Sequence, residues 1–224
     1  MDTSQWFSLS TGQFGYPQPE DDFGYLNQTY DMTNACPTCH IGLKQVDEFR
    51  FKSEPKAKHS YFIGLNWVFD QIFVRHPIEE IFSNEGVTGI TFSTPVINKT
   101  GKPMETIKQL HVDTVITDAI PVDKYEFEIC EYPKEKSTIK FLSAMKSPLL
   151  TGPFCGQRKY HYLTYRKFIF KNDSLNNMPD FVRISEWFGS GGNAARPIFV
   201  SYKVYELIKK YKWRGAFLEP INFI

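Results

Sequence analysis

One apolar pattern occurs twice in this chain of 224 residues, the second time 126 positions after the first. The Ile-Phe-Val sequence at residues 72–74 recurs at residues 198–200, and residues 72–89 match residues 198–215 without a gap. Self-similarity at a fixed offset is typical of a duplicated supersecondary unit. The pattern predicts two related halves. The alternative is that two similar strand–helix–strand segments arose by chance.

The first half contains signals for strands and a helix. Apolar runs at 47–52 and 61–66 predict two strands. A helix begins near Pro77, because the first turn does not need the N–H that proline lacks. A strand at 90–92 follows this helix.

The second half repeats the series. Ser201 is a residue type that favours a helix N-cap. An apolar stripe at helical spacing follows it and predicts a buried helix face. The stripe consists of Val204, Leu207, Ile208 and Tyr211. A strand at 216–218 ends the series.

Between the halves, alternating residues predict strands at 110–116 and 125–129, and a charged segment with a proline predicts a loop at 131–137. The sequence therefore predicts an α+β fold of two tandem duplicated units, each a small antiparallel sheet with one packed helix, plus a CxxC knuckle. The predicted divisions form a series along the chain. They are an irregular N-terminal arm at 1–35, a first repeat unit at 36–100, central strands and a connection at 101–150, and a second repeat unit at 151–224. One compact domain and two fused halves both fit this pattern.

The cysteines carry the clearest chemical signal. Cys36 and Cys39 form a CxxC turn, which aims two thiolates and its backbone N–H groups at one point and suits zinc. Cys155 precedes a glycine, as in the latter half of a CxxCG, but Gly152 stands where the earlier cysteine would be. Pairing the two knuckles predicts that these three cysteines converge. The candidate metal ligands are Cys36, Cys39, Cys130, Cys155 and His161.

Other interpretations of the cysteines stay open at this point. A knuckle without zinc would pack its thiols as small hydrophobic groups. A redox CxxC is less favoured, because no thioredoxin-like strand precedes it and no helical pattern follows it. The N-terminal residues show no secretory signal and no apolar run approaches the ~20 residues of a membrane span, so we expect a cytoplasmic protein without a membrane partner. Structural disulfides are not expected in that compartment.

Short motifs give the chain a resemblance to a known family. They are the CPTC at 36–39, Phe-x-Phe at 49–51, LNWVFD at 65–70, Cys-Gly-x-x-Lys-Tyr at 155–160, WFGSG at 187–191, Arg-Gly at 214–215 and Glu-Pro-Ile at 219–221. Over roughly residues 30–222 the chain resembles the bacterial double-CxxCG motif proteins, and its closing segment resembles immunity proteins of bacterial polymorphic-toxin systems. The resemblance implies a cytosolic antidote that binds and neutralises a cognate protein toxin. The chain departs from the pattern at Gly152 and at His40, where glycine is usual.

The residues also bear on two further function classes, enzymes and nucleic-acid-binding proteins. The five histidines lack HxxxH and HExxH spacing, and the glycine-rich segment 189–193 lacks the Lys-Ser/Thr of a P-loop, so the sequence does not predict an enzyme. A zinc-ribbon-type nucleic-acid-binding protein is the alternative function. It is suggested by aromatic residues interleaved with Arg and Lys at 158–167, which can stack bases and contact phosphates. The same residues fit a strand with one buried face, and we do not expect nucleic acid to be the partner.

A partner-binding surface is predicted on two loop-rich segments, because loops are free of the packing constraints of the core. The alternative is that their aromatic residues pack back onto their own domain. The candidate partner-binding residues are Phe14, Tyr16, Phe23, Tyr25, Trp187, Ser190 and Asn193.

Overall fold

The computed structural model describes residues 5–15, 17–18, 25–56, 59–66, 68–145, 150–163 and 167–224. Within these residues the fold is α+β, with four α-helices and several small sheets. The helices are α1 Tyr25–Thr29, α2 His76–Asn84, α3 Lys136–Ala144 and α4 Tyr202–Lys210, and a 3₁₀ turn spans Val122–Lys124. The strands are β1 Trp6–Thr11, β2 Tyr30–Asp31, β3 Lys44–Gln45, β4 Arg50–Phe51, β5 Phe62–Leu65, β6 Val68–Arg75, β7 Ile90–Ser93, β8 Val96–Ile97, β9 Ile107–Val112, β10 Val115–Ile116, β11 Phe127–Ile129, β12 Arg158–Tyr160, β13 Ile169–Phe170, β14 Phe181–Ile184, β15 Ile198–Ser201, β16 Ala216–Pro220 and β17 Asn222–Phe223.

The two largest sheets share the order of four strands, and the second sheet has β10 as an additional edge strand. The first sheet has the order β5–β6–β9–β7, and the second has the order β10–β14–β15–β1–β16. In each, an antiparallel hairpin (β5–β6 or β14–β15) leads into a helix (α2 or α4). The strand after the helix, β7 or β16, pairs antiparallel with a strand from elsewhere in the chain, β9 or β1. The segments that match in sequence therefore occupy the same positions in the two sheets.

The repeated apolar residues form one shared core. Helix α2 buries Ile78 and Phe82, and α4 buries Val204, Leu207 and Ile208. These side chains belong to a single cluster that also contains buried residues of both sheets. Burying each large aliphatic or aromatic side chain contributes roughly 1.5–3 kcal/mol. The buried residues of both helices are thus core residues that join the two halves, whereas Tyr211 of the predicted stripe follows the end of α4 and is 39% exposed.

The two halves also contact each other crosswise. The N–H of Phe181 on β14 donates to the carbonyl of Thr88, which precedes β7, over 3.1 Å. In the same way, the N–H of Phe62 on β5 donates to the carbonyl of Arg214, which precedes β16, over 3.2 Å. Thr88 and Arg214 are equivalent positions of the repeated pattern. Each half therefore anchors the hairpin of the other through the turn that follows its helix.

Glycines at these turns should be intolerant of substitution. Gly89 has φ +84° and Gly215 has φ +92°, and an added Cβ would lie 2.4 Å from the carbonyl oxygen of Phe181 or 2.2 Å from that of Phe62. We expect Gly89→Ala and Gly215→Ala to destabilise the protein similarly, because each combines left-handed backbone strain with a backbone clash. Gly101 is the control: its φ is +64°, but nothing lies within 4 Å of an added Cβ.

Chemical denaturation of the three variants measures this difference. Gly101→Ala should cost roughly 1–2 kcal/mol for the left-handed backbone alone. The other two should cost clearly more than Gly101→Ala. Equal costs at all three positions would contradict the inference that the close crosswise contact requires glycine.

The N-terminal segment corrects one prediction. Residues 6–11 were expected to belong to an irregular arm, but they form β1 between β15 and β16. Trp6 through Leu9 are all buried. A strand buried on both faces lacks the alternation of a half-exposed strand, which explains why the pattern did not reveal it.

Several predicted boundaries also differ from the structure. The strand expected at 110–116 is two strands, because β9 joins the first sheet and β10 joins the second. The strand expected at 47–52 is only Arg50–Phe51, paired parallel with β8. The loop expected at 131–137 ends at Glu135, where the unpredicted helix α3 begins. No helix among the described residues has the length and apolar character needed to cross a bilayer.

Candidate metal centre

The sulfur atoms of the four cysteines come together at one point, although 116 residues separate Cys39 from Cys155. Each Sγ lies within 4.8 Å of the others. The Sγ of Cys36 is 3.7 Å from that of Cys130, and the Sγ of Cys39 is 3.6 Å from that of Cys155. The expected convergence of Cys36, Cys39 and Cys155 is confirmed, and Cys130 supplies the fourth sulfur.

These distances fit a tetrahedral zinc site. Four Zn–S bonds of about 2.3 Å define a tetrahedron whose S–S edges are about 3.8 Å. Two sulfur pairs, at 3.7 and 3.6 Å, lie near that edge length, and all four cysteines are free thiols. Four thiols around one point are compatible with the donor set of a closed structural site.

The first knuckle is held by its own backbone. The N–H of Cys36 donates to the carbonyl of Ile41, and the N–H of His40 donates to the carbonyl of Cys36, both over 2.8 Å. His40 has φ 61°, a left-handed conformation that glycine adopts without strain. The residue after Cys155, Gly156, has the equivalent conformation with φ 71°.

The second pair of sulfurs comes from Cys130, which follows β11, and Cys155, which precedes β12, so both lie at the same end of this strand pair. Strands β11 and β12 pair antiparallel, and beyond them the N–H of Cys130 donates to the carbonyl of Gln157 over 2.9 Å. The N–H of Gly156 donates to the carbonyl of Cys130 over 3.1 Å. This pairing places Cys130 beside Cys155, and residues 131–154 form an insertion between them. Cys130 therefore supplies the fourth sulfur, which a complete CxxCG pattern would place at position 152.

The electrostatic surroundings of the thiols are uneven. Burial acts to raise the pKa of the Cys36 thiol, but the N–H groups of Cys39 and Thr38 and the neighbouring thiols lower the pKa to about 7. Burial raises the pKa of the Cys39 thiol, and likewise that of Cys130. An apolar site disfavours several bare thiolates, whereas a bound divalent cation would compensate their charge.

Apolar groups enclose the cluster. Cys36, Cys39 and Cys130 are buried, and Cys155 is exposed. The neighbouring residues are Ile41, Ala194, Phe154 and Trp187. The hydroxyl of Thr38 donates to the carbonyl of Pro153 over 2.8 Å, which ties the first knuckle to the insertion. The site therefore joins the CxxC turn near the N-terminus to the β11–β12 strand pair.

His161 does not belong to this cluster. Its Nε2 lies 3.8 Å from a carboxylate oxygen of Glu128, and the four-sulfur group does not include it. Strand β12, Arg158–Tyr160, lies between Cys155 and His161 in the chain, and an extended strand rises roughly 3.3 Å per residue. The extended geometry of β12 thus carries the histidine away from the sulfurs.

The predicted partner-binding residues are dispersed. Phe14 is partly buried against the core cluster around Phe49, and Trp187 packs on the cysteine cluster. Tyr25 begins α1. Tyr16 and Phe23 lie outside the described residues. Ser190 and Asn193 are exposed and form one turn, in which the N–H of Asn193 donates to the carbonyl of Ser190 over 2.9 Å.

A buried ionic group that was not predicted contacts Trp187, which packs on the cysteine cluster. Asp70 Oδ2 is 2.7 Å from Arg183 Nη1 and 2.8 Å from Arg196 Nη2, and its Oδ1 accepts the N–H of Arg196 over 2.8 Å. Burial lowers the pKa of Arg183, and Asp70 acts against that shift. The Arg196 guanidinium also lies 4.9 Å from the ring centre of Trp187. The only signal in the sequence was an acid within an apolar strand.

One serine–histidine contact bears on the enzyme question. His111 Nε2 and Ser93 Oγ share a hydrogen bond of 2.7 Å on adjacent strands of the first sheet. Asp113 Oδ1 instead accepts the hydroxyl of Thr91 over 3.0 Å. Burial lowers the pKa of His111, while Asp113 acts to raise it. The Ser93–His111 and Thr91–Asp113 hydrogen bonds link neighbouring strands, and Asp113 bonds to Thr91 rather than to His111.

Lys159 occupies a buried site behind β11. Its side chain is only 2% exposed, and its Nζ lies 2.6 Å from Glu128 Oε1. The same carboxylate oxygen accepts the N–H of Gly191 over 2.7 Å, and Lys159 donates to the Gly191 carbonyl. The glycine-rich segment is therefore fastened to the hairpin, and this lysine is not presented to solvent.

A cleft of about 670 Å³ lies between β11 and α3, beside the cysteine cluster. Its lining includes Phe127, Ile129, Cys130, Tyr132, Phe141 and Leu142. We call it the β11–α3 cleft. Its volume falls within the range of about 300–1,000 Å³ that is typical of binding sites.

A scan against models of protein families finds none that matches the chain, and a search of curated proteins finds no match either.

Proposed function

We propose that this chain is a zinc-stabilised antidote protein, which binds and neutralises a cognate bacterial toxin in the cytoplasm and acts by binding rather than by catalysis. The observation that carries the zinc proposal is the convergence of four sulfurs from two loops within 4.8 Å. The antidote role rests on the resemblance to immunity proteins. A cleft beside the cysteine cluster, lined by apolar side chains together with charged ones, supports a protein as the partner.

Zinc has a structural role in this proposal. Cys36, Cys39, Cys130 and Cys155 would fill all four positions of a tetrahedral ion, with none open for a substrate or water. Such an ion contributes to folding by linking segments that are distant in sequence. Here it would fix the hairpin that carries the β11–α3 cleft.

Side-chain exposure favours a protein partner over nucleic acid. Lys159 and Tyr160 belong to the basic and aromatic segment that suggested nucleic-acid binding, and both are buried, whereas Arg158, Tyr162 and Lys167 of that segment are exposed. Glu128 neutralises Lys159 at 2.6 Å. In contrast, Phe127 and Phe141 are exposed apolar residues lining the cleft. Exposed aromatic groups beside a cleft are typical of protein-binding surfaces.

We also propose that the two sheet–helix units arose by duplication. The support is the common strand order of the two sheets, together with the crosswise contacts of equivalent residues. Asp70 and Arg196, which bond directly, are 126 positions apart, the same offset as the sequence repeat. Equivalent residues touch only where they lie near a symmetry axis, so this contact supports an approximate two-fold relation.

Co-expression with the toxin encoded by the neighbouring gene tests the antidote function. We expect the chain to restore growth of cells that produce the toxin, and a Cys39→Ser variant to lose this rescue as its folded fraction falls. Soluble protein levels must be measured alongside growth. Failure to rescue from any adjacent toxin, together with salt-sensitive binding to DNA or RNA, would instead support the nucleic-acid-binding alternative.

A further inference from the structure

We propose that the outer edge of β11 is a docking site for an extended segment of a protein partner, which adds to the β11–β12 hairpin as a third strand. This proposal deepens the proposed function and rests on it for the identity of the partner as a protein. It commits to a strand as the bound element, because the surface offers backbone hydrogen-bonding groups as well as apolar side chains.

The hydrogen-bond register shows which backbone groups face the open edge. The N–H of His161 donates to the carbonyl of Glu126, and the N–H of Cys130 donates to the carbonyl of Gln157. Bonded pairs alternate along an antiparallel ladder, so Glu128 is the bonded position between them. The N–H and C=O groups of Phe127 and Ile129 therefore point away from β12.

Nothing among the described strands pairs with that edge. The sheet that contains β11 has β12 as its other strand, and β12 is covered on its far side by Phe188. The N–H of Tyr160 on β12 donates to the carbonyl of Trp187 over 2.7 Å. The hairpin is thus paired on its β12 side and open on its β11 side.

The β11–α3 cleft gives this open edge a second wall. Phe127 and Ile129 line it on β11, and Phe141 and Leu142 line it on α3. Phe127, Ile129 and Phe141 are all exposed, the last at 63% of its surface. Helix α3 has no buried residue, although it carries an apolar face. A strand laid along β11 would satisfy the outward backbone groups and place apolar side chains against α3.

The metal centre sits directly at the end of this edge. Cys130 follows Ile129 and lines the same cleft. An ion held by Cys130 would fix the position of β11 before the partner arrives, which reduces the ordering cost of docking. Binding at the edge should therefore weaken when the metal is removed.

Selection from a phage-displayed library of random dodecapeptides on the full zinc-loaded chain tests the proposal. We expect enrichment of extended sequences with apolar residues at alternate positions, since alternate side chains of a strand share one face. In hydrogen-exchange measurements, the amides of Phe127 and Ile129 should exchange fast in the free protein and become protected by the selected peptide. The Glu128 amide should be protected in both states.

Two matched pairs of variants locate the contact. Ile129→Pro removes an outward N–H and leaves the β12 ladder intact, because proline is tolerated where the N–H of an edge strand faces solvent. It should weaken peptide binding by about tenfold or more, whereas Ile129→Thr, which keeps the N–H, should weaken it less. Phe141→Ser should also weaken binding, while Phe217→Ser, at a residue 58% exposed on β16, should not.

Several results would overturn the proposal. They are the absence of enriched peptides, equal binding to the Ile129→Pro and wild-type proteins, and protection of the Phe127 and Ile129 amides in the free chain. The last result would mean that the chain covers its own edge. If the Ile129→Pro variant neutralised the toxin fully, the docking edge would be wrong while the antidote function stood. Peptide binding without any neutralisation of the toxin would support the docking edge and contradict the antidote function.

Discussion

Cys39→Ser is expected to abolish stoichiometric zinc binding and to lower the midpoint of thermal unfolding by roughly 8–16 °C. A ligand present at a thousand times its Kd stabilises the folded state by about 4 kcal/mol. For a chain of 150–250 residues, each kcal/mol shifts the midpoint by roughly 2–4 °C. Cys39 is chosen because it is fully buried in the cluster, so no other group can take its place at the ion.

Differential scanning calorimetry with and without a chelator measures this effect. The chelator should lower the midpoint of the wild-type protein and leave the Cys39→Ser variant unchanged. His161→Ala is the control, because His161 was a candidate ligand that lies outside the cluster. A wild-type midpoint that does not respond to a chelator able to remove the metal would contradict a structural role for zinc.

Asp70→Asn should destabilise the protein by about 3–5 kcal/mol, since it leaves two guanidinium groups without their shared counter-charge. The Asp70 side chain is 13% exposed, that of Arg183 is 7% exposed and that of Arg196 is 27% exposed, so water replaces the lost carboxylate only in part. Asparagine tolerates the left-handed backbone at this position, where φ is 66°. The substitution therefore removes charge without adding backbone strain.

Asp118→Asn provides a closely matched control. Asp118 also has a positive φ, of 55°, and it also pairs with a cationic side chain, that of Lys171. Its side chain is 84% exposed, however, and exposed ion pairs contribute little to stability. Urea denaturation of both variants separates burial from charge pairing. A similar small loss at Asp70 and Asp118 would show that the buried group does not hold the two halves together.

The sequence predicted the elements whose period is strong and local. The stripe Val204–Ile208 and the first-turn proline Pro77 placed α4 and α2, because helical periodicity and capping preferences act within a few residues. The spacing of Cys36 and Cys39 likewise predicted the CxxC turn. These features depend on the nearest neighbours in the chain.

Features that depend on distant pairing could not be predicted. Nothing local assigns β1 to a place between β15 and β16, since its partners lie almost a full chain length away. The choice of Cys130 over His161 likewise depends on the register of β11 with β12. Helix α3 has no buried residue, so its sequence lacks the strong apolar stripe by which a packed helix is normally predicted.

Native mass spectrometry of protein purified without chelator tests the central claim most directly, namely that the four cysteines hold one metal ion. We predict a single species at the mass of the chain plus one zinc, with four thiols that become reactive together after acid denaturation. A metal-free folded chain with the same stability, or one carrying disulfides between Cys36 and Cys130 or between Cys39 and Cys155, would contradict the account.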